Sequence, residues 1–159
     1  MSVNRWVAAV LVPFLAAGCG SERVTDPGPG GGDPGGGEPI ALPVLGHGPV
    51  AERYTAEVAV RDGWAYTTTW GRRAEVGNAV KIWDVSGDTP VLVDSLIIDG
   101  ATTTGDVQIS DDGSLLVVAT ELTPGSLVVF DRSDPARPRQ LSRFQAASTR
   151  NGVHTVKLG

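Results

Sequence analysis

A chain of 159 residues is the length of a single domain. Its formal charge of −5 leaves no basic face with which to neutralise nucleic-acid phosphates, so no nucleic-acid partner is expected. One cysteine excludes an intrachain disulfide and any cysteine-based zinc cluster.

Residues 1–5 carry one cation, Arg5, and twelve apolar residues follow at 6–17. That run is too short for a membrane-spanning helix, which takes roughly 20 residues. A charged start, an apolar stretch and small residues at its end make a secretory signal over 1–18. The segment closes with Leu15-Ala16-Ala17-Gly18-Cys19, which resembles the bacterial lipoprotein signal. The resemblance implies lipidation of Cys19, which would become the new N-terminus and hold the protein to a membrane. An ordinary cleaved signal with an incidental cysteine is the alternative. Gly20-Ser21 follows Cys19, with no Asp, which favours the outer membrane or cell surface.

Residues 20–39 hold eight Gly and four Pro and show no apolar periodicity. Nothing there can be buried to offset ordering entropy, so 19–39 reads as a lipidated cysteine and a flexible tether with an r.m.s. span of about 25 Å. A P-loop would need Gly-Lys-Ser/Thr opening a helix, and none is present.

From residue 40 short β-branched runs alternate with turn residues, and they repeat. Glu57-Val58-Ala59-Val60, Asp106-Val107-Gln108-Ile109 and Thr155-Val156-Lys157-Leu158 recur at an interval of 49. Asp84 and Asp131 close matching runs 47 apart, and Pro43, Pro90 and Pro138 mark a third landmark. Each copy predicts four strands: about 57–61, 64–70, 79–85 and 91–98, then about 106–110, 114–120, 126–131 and 139–144. Asp62-Gly63 and Asp112-Gly113 suit tight hairpin turns. No sustained helical period occurs after the signal. The expected class is all-β, and a four-stranded repeat of this length is the unit of a β-propeller.

Asp62-Gly63-Trp64-Ala65-Tyr66, then Ala79 to Val85 and Thr89-Pro90-Val91-Leu92-Val93, resemble the LVIVD-repeat proteins. Leu127-Val128-Val129-Phe130-Asp131 and Ser133-Asp134-Pro135-Ala136-Arg137-Pro138 repeat the pattern, while Ser114-Leu115-Leu116 departs from it. The resemblance covers about 42–159 and implies an exported bacterial β-propeller. Trp83-Asp84 also evokes the WD repeat, but the upstream Gly-His is missing from both copies and Phe130 stands where Trp83 does. The chain accounts for about two blades (repeats at about 57–98 and 106–144), an outer strand at about 42–46 and a third repeat beginning at about 154. Propellers close with about four to eight blades. The expectation is therefore an N-terminal fragment of a longer protein, or a chain that assembles with others.

First strands of propeller blades line a central channel, and Glu57, Asp106 and Thr155 share one repeat position, with His154 beside the last. Such side chains suit either a cation or other ligand, or merely a wet channel wall. Asp84 and Asp131 are expected to bond the backbone of the turn that follows each. Trp64, Tyr66, Trp70 and Trp83 are expected to pack between sheets, with Trp70 near Gly71-Arg72-Arg73 as an alternative carbohydrate-stacking face. His47 has no visible acid–base partner, and Ser110, Ser114 and Thr67 to Thr69 fit no nucleophile signature. No catalytic constellation and no cofactor motif is evident, and the metal, if any, is unspecified. The reading is a lipid-anchored cell-envelope module that binds a protein or small molecule or serves as a scaffold. The alternative is an exported propeller enzyme, lactonase-like or quinoprotein-like, whose active site lies in further blades.

Overall fold

The computed structural model describes residues 43–71, 76–122 and 124–158. Eight strands fall in chain order: β1 (Tyr54–Arg61), β2 (Trp64–Trp70), β3 (Ala79–Asp84), β4 (Val91–Ile97), β5 (Thr103–Ile109), β6 (Leu115–Glu121), β7 (Ser126–Asp131) and β8 (Arg139–Phe144). They form two four-stranded antiparallel sheets, each a meander in sequence order, β1-β2-β3-β4 and β5-β6-β7-β8. The all-β expectation holds, and so do the eight strands.

The repeat extends to its irregularities. Each first strand carries one extra residue against its partner, between Thr55 and Val58 in the first sheet and between Thr104 and Val107 in the second. Each third-to-fourth ladder shifts register at the matching place, Ile82/Trp83 and Val129/Phe130. A bulge bends its strand and re-aims a side chain. The bulge also explains why β1 and β5 begin three residues before the predicted 57 and 106: the ladder resumes on the far side of it.

The hairpins differ. Arg61 pairs with Trp64, so Asp62-Gly63 is a two-residue turn with both residues at positive φ, 52° and 77°. In the second copy Gly113 alone takes positive φ, Gly113 N donates to Ser110 O, and the strand starts at Leu115 instead of the predicted 114. Asp112 causes the longer loop. Its Oδ1 accepts from Ser110 Oγ, Ser114 N and Ser114 Oγ at 2.6, 2.9 and 2.8 Å, which folds residues 110–114 into a side-chain-closed turn.

The core lies between the sheets. The first sheet contributes Tyr66, Val80 and Ile82, and the second contributes Leu116, Val118, Val128 and Phe130. Leu116 pairs with Phe130, whereas at the matching place of the first sheet Ala65 pairs with Trp83, which points the other way. The front of the second sheet thus packs on the back of the first. This head-to-tail stacking leaves the front of the first sheet open at Val58 and Val60, 57% and 62% exposed, while Val107 at the equivalent place is 1% exposed. Residues 46–53 roof the rest of that front: Gly48 touches Trp83, and Lys81, which replaces the apolar Val128, pairs with Glu52.

Tyr66 and Arg132 bind the two sheets through polar groups. Tyr66 Oη donates to Pro135 O at 2.8 Å and accepts from Arg132 Nε at 2.9 Å. Arg132 Nη1 and Nη2 donate to Gly113 O and Arg61 O at 3.0 Å each, so one guanidinium ties both hairpin tips. The chain leaves each sheet by a repeated path, with Gly77 N donating to Thr102 O and Gly125 N to Arg150 O. No ladder forms over 43–46 or 153–158, where the sequence suggested an outer strand and a third first strand. A strand needs a neighbour that satisfies its backbone groups along a ladder; along 153–158 the bonds are single ones, Val153 N to Thr120 O and Val156 N to Asp106 Oδ2.

Candidate functional site

An open cleft of about 510 Å³ lies where β1 and β5 run side by side. The sequence candidates Glu57, Asp106 and His154 all line it, together with Trp70 and Glu121. The bulges account for the convergence, because Glu57 and Asp106 occupy the extra stretch in β1 and β5. Thr68 secures the first bulge: its hydroxyl accepts from Glu57 N at 2.9 Å and donates to Gly105 O at 2.9 Å, which also links β1 and β2 to β5.

The candidates are not equivalent. Asp106 is 7% exposed and structurally engaged. Its Oδ1 accepts from Val107 N at 2.8 Å and from Gln108 Nε2 at 3.3 Å, and its Oδ2 accepts from Val156 N at 2.8 Å. It therefore fastens the 153–158 segment to the second sheet. Glu57, by contrast, is exposed. His154 lies 2.7 Å through Nδ1 from Glu121 Oε1.

Glu121 was not among the residues the sequence singled out. It ends β6 opposite Thr103, as Trp70 ends β2 opposite Tyr54, so the two share a repeat position. Aligning the second strands at their last residue, in place of their first, would have revealed it. Its carboxylate rests on Gly105, where an added Cβ would come within 2.5 Å of Oε1. Among the described residues no group of three or more His, Cys, Asp or Glu side chains can hold a metal ion.

The other sequence candidates fall into place outside the cleft. Asp84 Oδ1 accepts from Ser86 N and Ser86 Oγ at 2.9 and 2.6 Å, and Asp131 Oδ1 accepts from Ser133 N at 2.9 Å. These bonds hold both carboxyls below the usual range and match the turn role expected of them. Ser110 and Ser114 serve the Asp112 turn, whose bonds lower that carboxyl to about 2. Thr67 accepts from Trp83 Nε1 at 3.0 Å, and the hydroxyl of Thr69 bonds both N and O of Ala79. Tyr66 is fully buried between the sheets and its burial raises its phenol above the ordinary value. Trp83 packs against Gly48 instead of between the sheets, and Trp70 is 37% exposed at the cleft. His47 is exposed. Cys19, Arg72 and Arg73 lie outside the described residues.

Among the described residues no helix is long and apolar enough to cross a membrane. No family model matches the chain, and neither a curated protein nor a solved structure matches it.

Proposed function

We propose that this chain is a lipid-anchored cell-envelope protein in which residues 40–159 form blades of a β-propeller, and that it acts as a binding or scaffold module. The observation that carries the reading is the succession of the two sheets. They share register, bulges and exit path, and the front of one packs on the back of the other. Blades follow one another in this way about a propeller axis. First strands face that axis, so the cleft at β1 and β5 is the binding surface. Leu15-Ala16-Ala17-Gly18-Cys19 supports the anchor, because several acyl chains on one residue make membrane attachment effectively permanent.

Two experiments test the two halves of the reading. Radiolabelled palmitate is followed in cells making the wild type or Cys19→Ser. Label on the wild type only, with the variant released to the soluble fraction, is the expected result. Labelling that persists in Cys19→Ser refutes the anchor. A crystal or cryo-EM structure of the protein as its cell makes it should show sheets arranged about an axis with Glu57 and Asp106 facing it. Two sheets closed on one another as a sandwich, with no axis, would overturn the propeller.

A further inference from the structure

We propose that the cleft between β1 and β5 binds a small organic cation through a primary ammonium group. The inference rests on the cleft's being the binding surface and adds the ligand's chemical class.

The size of the cavity comes first. About 510 Å³ falls within the range of small-molecule sites. A bare metal ion needs oxygen or nitrogen ligands at about 2.0–2.6 Å, and among the described residues no three acidic, His or Cys side chains are arranged to hold one. The cleft suits a molecule several atoms long.

The walls then define its charge. Three carboxylates from three strands line the cleft: Glu57 of β1, Asp106 of β5 and Glu121 of β6. The imidazole of His154 sits on Glu121. Asp106 spends its oxygens on Val107 N, Gln108 Nε2 and Val156 N. It supplies negative potential from a fixed, buried position without needing to move. Glu57 is the exposed carboxylate, placed to accept directly from an ammonium.

Trp70 makes the cleft more than a set of acids. It ends β2 on the cleft wall with 37% of its surface exposed. An indole face attracts a cation through its quadrupole and covers the attached methylenes with apolar surface. Ala56 and Gly105 complete the wall, the absence of a side chain on Gly105 making room for the Glu121 carboxylate. An ammonium on a short alkyl chain meets both demands: the head bonds Glu57 and the chain lies on Trp70.

The test uses the full chain in nonionic detergent, with putrescine as the probe, butane-1,4-diol as its neutral analogue and calcium chloride as a metal arm. Calorimetry should show saturable putrescine binding in the micromolar to millimolar range and none for the diol. Glu57→Gln and Trp70→Leu should each weaken it by about five- to tenfold. Asp111→Asn, an exposed acid on the β5–β6 loop away from the cleft, should leave it unchanged. Any of four results overturns the proposal. These are equal binding of diol and diamine, equal weakening by Asp111→Asn, no weakening by either cleft variant, or calcium binding that Glu57→Gln abolishes and that displaces putrescine. No heat up to about 10 mM putrescine overturns it as well. Palmitate labelling and the arrangement of sheets are read separately, so their failure cannot be confused with this one.

Discussion

At the scale of single residues, buried polar groups hold the two sheets together. Arg132 is 6% exposed and among the described residues has no carboxylate partner; its guanidinium bonds Gly113 O, Arg61 O and the Tyr66 hydroxyl. Removing it would take a donor from two carbonyls and from a phenol that keeps its bond to Pro135 O. Arg132→Met should therefore lower stability by about 2–3 kcal/mol in denaturant unfolding, while Tyr66→Phe should cost about 1 kcal/mol. Equal and negligible effects would mean that these bonds do not form in solution. Asp112 has a different signature. Its folded value of about 2 lies below the ordinary 3.8 because Ser110 and Ser114 donate to it. A depressed carboxyl contributes stability that is complete above the unfolded value and disappears as pH falls through the folded one. The contribution should be lost between about pH 4 and pH 2. The NMR titration midpoint of Asp112 should rise toward 3.8 in Ser110→Ala/Ser114→Ala. An unmoved midpoint refutes the turn as its cause.

At the scale of elements, the two sheets share their sites of close approach. A Cβ on Gly77 would stand 2.0 Å from Gly71 N and from Trp70 C, and one on Gly125 would stand 2.2 Å from Thr149 O. Both clashes are with backbone and cannot be relieved by a rotamer. These glycines let the chain pass from the end of one strand across its neighbour. Gly77→Ala and Gly125→Ala should each destabilise by about 2–3 kcal/mol or more, whereas Gly87→Ala, with nothing within 4 Å, should change stability little. Thermal melts of the three variants decide the matter. A Gly77→Ala protein melting with the wild type would show that the crossover is not built as described.

At the scale of the molecule, the stacking is directional, and equivalent positions therefore carry unequal weight. Val107 is buried against the first sheet, but Val58, its repeat counterpart, faces outward. Val107→Ala should cost about 2 kcal/mol and Val58→Ala less than about 0.5. Phe130→Ala should cost about 3–5 kcal/mol because Phe130 fills the space between sheets. Since one core serves both sheets, they should unfold in a single transition. Hydrogen exchange showing one sheet opening well before the other would contradict this.

The sequence by itself determined the class and the repeat. Alternating β-branched residues, the paired Asp-Gly turns and the spacings of 47 and 49 placed all eight strands, because strand formation and hairpin turns depend on local pattern. The roles of Asp84 and Asp131 were legible for the same reason, since each bonds a residue two positions on. Only the tertiary structure decided the remainder. Bulges at Glu57 and Asp106 arise from pairing with β2 and β6, and a one-residue shift there reverses which face a side chain occupies. Glu121 reaches the cleft through its register opposite Thr103. Asp106 became a fastener for Val156, 50 positions away, and Trp83 turned to the roofed front instead of the shared core. Register and stacking are settled by contacts between residues far apart in the chain, so no local pattern could have announced them.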